Sequence, residues 1–153
     1  PLKTICYALE EVLKVHTLFD PSQRKTELVN LMDQVGLDED FLARYPHQLS
    51  GGQRQRVVIA RALAAQPKVL ICDESVAALD ISVQAQVLNL LNELKEKLQL
   101  SYLFIYHDLG VVKHMVDRII VMHQGKIVEE NEADALYHHP QTPFTKALLA
   151  AVV

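Results

Sequence analysis

Val69-Leu70-Ile71-Cys72 is an apolar run without alternation, and it ends abruptly in two carboxylates, Asp73 and Glu74. No other feature restricts the fold of this chain as strongly. An uninterrupted apolar stretch of this kind suits a short strand covered on both faces of a parallel sheet. Asp80 then reads as the N-cap of a helix, because Val83, Val87, Leu90, Leu91, Leu94 and Leu98 recur at helical spacing after it. A second apolar strand is expected over 102–106, immediately before His107. Strand, helix and strand make a βαβ unit with a right-handed crossover. In open α/β sheets ligands bind at the C-terminal ends of the strands. Asp73, Glu74 and His107 occupy those ends and are candidate site residues.

Upstream, Leu49-Ser50-Gly51-Gly52-Gln53 marks where another helix begins. Ser50 with Gln53 three residues later reads as a capping box. Two glycines in a first helical turn each cost up to ~1 kcal/mol of propensity against alanine. Glycine there lets another backbone or a ligand come close, and the amides and dipole of a helix N-terminus attract phosphate. The alternative is an ordinary capped helix with a loose start.

The first fifty or so residues read as a small helical subdomain. A helix over 4–16 carries Ile5, Ala8, Leu9, Val12 and Leu13 on one face, with Thr4 as its cap. Asp20-Pro21 opens another, with Leu28, Leu31, Met32 and Val35 as its stripe and Gly36 as its stop. A short helical piece lies around Phe41-Leu42, and a boundary is expected near 45–49. Beyond His107, Asp108 is expected to cap a short helix through Val111, Val112 and Met115. Strands over 118–122 and 126–130 flank a turn at Gln124-Gly125. Asn131 is read as the cap of a helix to about Tyr137, and Thr142-Pro143 as the start of the last helix.

With the apolar run, Ala77-Ala78-Leu79-Asp80 and Tyr106-His107-Asp108 on the page, the chain resembles the nucleotide-binding subunit of ATP-binding cassette (ABC) transporters. The matching stretches are the LSGGQ signature, a Walker B strand, a D-loop and a switch histidine, in that order. The wording around LSGGQRQRVVIARAL and the late stretch His139-Pro140-Gln141-Thr142-Pro143-Phe144-Thr145 look most like the oligopeptide/dipeptide/nickel importer branch. The resemblance implies an α/β fold, the C-terminal part of a P-loop NTPase, with parallel strands, helices on both faces and a helical subdomain before them. On that reading residues 1–48 are the helical subdomain and 49–153 belong to the ATPase core. It also implies ATP and Mg²⁺ as ligands, Asp73 holding the metal, Glu74 polarising the attacking water, and His107 contacting the γ-phosphate. Leu49, Ser50, Gly51, Gly52 and Gln53 would close on ATP held by a second ATPase subunit, and Asp80 would communicate across that dimer. Permease subunits, and indirectly a solute-binding protein, complete the implied partners, at the cytoplasmic side of the cell membrane.

No stretch matches G-x-x-x-x-G-K-[ST], the loop that cradles ATP phosphates. The sequence therefore looks like the C-terminal portion of such a subunit, inactive by itself. Ser75, Ala77 and Tyr106 depart from the residues usual in the family at those positions. A net charge of −4 speaks against a nucleic-acid partner, although Arg54, Arg56 and Arg61 make a local basic stripe. No apolar run reaches the ~18 residues of a membrane span. Cys6 and Cys72 have no metal-ligand spacing. His138-His139, Glu129, Glu130 and Glu132 are read as solvated surface. The alternative function is a non-transport ABC ATPase of DNA repair or translation.

Overall fold

Capping chemistry places the helices where local sequence puts them. In the computed structural model, which describes residues 3–16, 19–107, 110, 113 and 115–151, helix α1 spans Ile5–His16 and buries Ile5, Leu9 and Leu13. Helix α2, Pro21–Gln34, begins with a full capping box: Asp20 accepts from the amides of Ser22 and Gln23, and the Gln23 side chain accepts from the Asp20 amide. Its stripe of Leu28, Leu31, Met32 and Val35 is buried as expected. Gly36 ends it in the left-handed region, at φ 66°. Two 3-10 turns follow, Glu39–Ala43 and Pro46–Gln48; the second has no counterpart in the sequence reading. The amide of Ile5 donates to the Arg44 carbonyl at 3.0 Å, tying these turns to the start of α1.

Helix α3 spans Gly51–Leu63, strand β1 Val69–Asp73, helix α4 Ile81–Leu98 and strand β2 Ser101–Ile105. α1, α2 and α3 pack on one another, and α3 packs on α4. β1 and β2 are neighbours in one two-stranded sheet, joined through α4, the crossover connection that parallel strands require. Tyr102 donates its hydroxyl to the Leu91 carbonyl at 2.9 Å, which lays α4 on one face of the sheet. Burial lifts the phenol to about 12. The expectation that both strands are covered on both faces is corrected here. Leu70 and Cys72 are buried, but Val69 and Ile71 are 56% and 64% exposed, and Leu103 and Ile105 are about half exposed. Successive strand residues face opposite sides, and the described residues of this unit cover only one side.

The chain divides into two compact units, 1–103 and 104–153, and each is described by itself. The boundary expected at 45–49 falls inside the first. In the second, strand β3, Arg118–His123, pairs antiparallel with strand β4, Lys126–Glu132, with a bulge between Val121 and Met122. Gln124 and Gly125 both have positive φ, 48° and 75°, the geometry of the tight hairpin turn whose twist matches paired strands. Helix α5, Ala133–His138, starts two residues after the expected cap; Asn131 stays in the ladder opposite Ile119, and its side chain accepts from the Glu132 amide instead. Helix α6 is Pro143–Ala150, with Thr142 accepting from the Thr145 amide as its cap. Ile119, Val121, Ala133 and Leu136 form the core of this unit, with Tyr106, Phe144 and Leu148 packed against it. Of the helix expected after residue 107, Asp108, Val111 and Val112 lie outside the described residues.

Candidate functional site

The first unit holds every candidate site residue except His107. Ser50 caps α3 as read: its hydroxyl accepts from the Gln53 amide at 3.3 Å, and the Gln53 side chain accepts from the Ser50 amide at 3.0 Å. Leu49 is buried and anchors the turn. The amides of Gly51 and Gly52 have no intrahelical acceptor, as first-turn amides never do. At Gly52 the close approach expected of a glycine is that of α4. A Cβ on Gly52 would stand 2.5 Å from Cγ1 of Val83, and one on Gly51 would stand 3.4 Å from Cδ2 of Leu79. Gly52 therefore makes room for the first turn of α4, while Gly51 lies in ordinary contact with the loop after β1. Leu49 to Gln53 and Leu79 to Val83 come together in one place, joined through backbone-to-side-chain packing.

β1 delivers Asp73 and then Glu74, both exposed. Glu74 sits in the left-handed region at φ 46°, where a non-glycine residue carries a strain of ~1–3 kcal/mol that clusters at functional sites. Hydrogen bonds from the Ala77 amide to the Glu74 carbonyl and from the Leu79 amide to the Val76 carbonyl, both 3.1 Å, then wind the loop toward Asp80. Buried Val76 anchors it. Asp80 caps α4, its Oδ1 accepting from the Val83 amide at 3.0 Å. So the segment 77–80 is held at both ends and leads into the turn of α4 whose Val83 side chain Gly52 accommodates. One departure from the expected pattern, Ser75, has a structural partner. Burial pushes the Cys72 thiol up, and a hydrogen bond with Ser75 opposes that shift. Ala77, one hydroxyl short, is exposed.

In the second unit His107 is exposed, directly after β2, and stacks on Tyr106 with ring centroids 5.1 Å apart. Tyr106, the third departure, is spent on the core of that unit.

Several residues do other work than the sequence suggested. Arg54 donates Nε–H to the Leu49 carbonyl at 3.2 Å, and Arg56 donates to the Val35 carbonyl at 2.7 Å, so two members of the basic stripe hold backbone. Glu129 is not solvated surface: it is 8% exposed and accepts from the amides of Gln141 and Thr142 and from the Thr142 hydroxyl at 2.9–3.0 Å. The Thr145 hydroxyl first, then those amides, hold its carboxyl down at about 2. Nothing local marks Glu129 apart from Glu130, because its donors come from twelve and thirteen positions later. Among the described residues no cluster of three or more His, Cys, Asp or Glu side chains is arranged to hold a metal ion, and no helix is long and apolar enough to cross a membrane.

The fold is that of an ATP-binding cassette. The dimeric post-hydrolysis structure of the cassette MJ0796 bound to ADP and Pi matches with a TM-score of 0.70 and 31% identity, over 87% of this chain and 58% of that one. The structure of cbiO1 from Clostridium perfringens, part of the ABC transporter complex cbiONQ, matches with a TM-score of 0.77 and 26% identity, over 90% of this chain and 54% of that one. In sequence, the ABC transporter family profile matches residues 4–77. The oligopeptide transport ATP-binding protein OppF of Streptococcus mutans is 54% identical over 145 residues, 94% of this chain and 47% of the relative. The dipeptide transport ATP-binding protein DppF of Haemophilus influenzae is 48% identical over 151 residues, 99% of this chain and 46% of the relative. In sequence the chain is thus similar to ATP-binding proteins of ABC transporters, among them oligopeptide and dipeptide transport ATP-binding proteins. It spans about half the length of these curated relatives.

Proposed function

We propose that this chain is the signature-bearing part of an ATPase subunit that powers import of peptides or a related small solute. The observation that carries the reading is the junction of Gly51 and Gly52 with Leu79 and Val83, which seats a phosphate-attracting helix end against the loop that follows Asp73 and Glu74. This helix end takes its nucleotide from the phosphate loop of a second ATPase subunit. Ser50, Gly51, Gly52 and Gln53 close on that ATP, with Leu49 anchoring the turn and Asp80 linking the two sites across the head-to-tail dimer. Dimer closure and release is the stroke passed to permease subunits on the cytoplasmic side of the membrane, and the solute reaches them from a solute-binding protein.

The exposed carboxylate of Asp73 at a strand end has the hard oxygen donors that Mg²⁺ takes, and would hold it directly or through water. Bound there, the metal would offset charge on the β- and γ-phosphate oxygens. Glu74 accepts a proton from the attacking water, a contribution worth roughly 10²–10⁴-fold. His107 contacts the γ-phosphate and orients that water. Residues 1–48 then serve as the helical subdomain and 49–153 as part of the ATPase core. No nucleic acid is a partner.

Phosphate release tests the reading. The full-length subunit is expected to hydrolyse ATP with Mg²⁺, and with its permease to drive uptake of labelled di- or oligopeptide into vesicles. These 153 residues alone are expected to do neither. Sustained ATP turnover by the isolated chain would contradict the need for a phosphate loop from outside it.

A further inference from the structure

Arg56 lies less than two turns into α3, and its guanidinium leaves its own helix. Nη1–H donates to the Val35 carbonyl at 2.7 Å, at the C-terminal end of α2. That end carries partial negative charge and last-turn carbonyls without intrahelical donors, so a cation with fixed donors suits it. Gly36, the next residue, makes the contact sterically possible. Its φ is 66°, and a Cβ there would stand 2.9 Å from Nη1 of Arg56. Val35 itself is fully buried, so its carbonyl marks a fixed point of the helical subdomain.

The other surroundings of Arg56 are open and mostly polar. It borders a cavity of about 320 Å³ together with Asp33 of α2, Gly36, and Gln86, Asn89, Leu90 and Glu93 of α4. At this end of α2 a charged hydrogen bond thus adds a directional tie to the packing of α2 and α3. Four residues earlier on the same helix, Gly52 is pressed against Val83 of α4. A helix held at two points so close together has a defined rotation about its axis. With 3.6 residues per turn, that rotation decides where its first amides point.

We propose that Arg56 is a positioning residue: by tying α3 to the last carbonyl of α2 it aims the Gly51 and Gly52 amides at nucleotide phosphate. The inference rests on the ATPase reading above. It assigns Arg56 no contact with ATP, because its side chain is engaged at the far end of α2.

The test uses the full-length subunit as wild type, Arg56→Lys and Arg56→Ala. It compares kcat and KM for ATP, binding of a fluorescent ATP analogue to the monomer's own phosphate loop, and thermal melting. Arg56→Ala is expected to lose about tenfold in kcat while analogue affinity stays put, the split expected when an interaction of the closed state is lost. Arg56→Lys, a point charge without the planar fork, recovers part of the loss. Gly36→Ala, which crowds Nη1, moves kcat in the same direction. An unchanged kcat in Arg56→Ala overturns the proposal, as does a loss that only follows the unfolded fraction. A wild-type subunit without ATPase activity refutes the function itself, and amide exchange over 50–54 then decides for Arg56. Exchange faster in Arg56→Ala and intermediate in Arg56→Lys supports the positioning role; equal exchange overturns it.

Discussion

Helices α2 and α3 begin with the same device and put it to different uses. Each has a reciprocal capping box closed by a glutamine three residues on, Gln23 for α2 and Gln53 for α3. α2 is capped by an anionic Asp20, with Pro21 fixing the first turn. α3 is capped by neutral Ser50, with Gly51 and Gly52 in that turn. The anionic cap satisfies the helix dipole from within, and its carboxyl is held below its ordinary value by the Gln23 amide, the Ser22 hydroxyl and amide, and nearby Arg24. The neutral cap leaves the dipole without a charged partner of its own, and Gly52 gives up propensity so that Val83 of α4 can approach. One start is built to stand alone. The other, on the function proposed above, is completed by nucleotide.

The comparison predicts first that activity belongs to the loop lodged against α3. In the full-length subunit, Glu74→Gln is expected to reduce phosphate release by roughly 10²–10⁴-fold. Asp20→Asn, at the self-contained start, is expected to leave the rate within about twofold. Equal rates for Glu74→Gln and wild type would break the comparison at its strongest point.

Next in size is the packing of the glycine pair. A methyl group on Gly52 meets Val83 at 2.5 Å, and overpacking of this kind costs about 1–3 kcal/mol. Gly52→Ala is therefore expected to lower stability by that amount in denaturant titration. Gly52→Ala with Val83→Ala should recover most of it, since the clash is removed from the other side. If the double variant is as unstable as the sum of the singles, Gly52 is there for its backbone and not for room.

The smallest effect is a response to acid. Asp20 and Glu129 both have folded pKa values below their ordinary 3.8 and 4.5, the latter at about 2. A depressed folded value means the stabilisation is complete above the ordinary value and is lost as pH falls through the folded one. Amides at the start of α2, and those of Gln141 and Thr142, should therefore lose exchange protection as pH drops from about 4.5 toward 2. The start of α3 should not, because Ser50 does not titrate in this range. Parallel loss at all three would mean that acid acts globally and that the caps differ in name only.

What the sequence revealed of this molecule was its local chemistry. The caps at Asp20, Ser50, Asp80 and Thr142, the stop at Gly36 and the hairpin turn at Gln124-Gly125 all rest on residues within four positions of each other, and all are found in place. Asp73 and Glu74 were legible because an entire strand ends on them. What was not legible joins distant positions. Arg56 and Val35 lie 21 residues apart, and Glu129 draws its donors from Gln141 and Thr142. The exposed side of β1 could not be read from Val69-Leu70-Ile71-Cys72 either, since an apolar run records what a strand tolerates and not which neighbours are at hand. The left-handed Glu74 had no local sign at all, because glutamate carries no preference for that region.

The central claim is that the start of α3 stays uncharged so that phosphate held by another subunit can complete it. Transplanting the cap of α2 tests this directly: Ser50→Asp keeps an N-cap oxygen for the Gln53 amide and adds one negative charge where phosphate would dock. ATP-dependent association of full-length subunits is the measurement, made in a Glu74→Gln background so that hydrolysis does not undo it. The account predicts that Ser50→Asp subunits stay monomeric with ATP, while each still binds nucleotide at its own phosphate loop and α3 is as stable as before. Association as tight as that of the parent would contradict it.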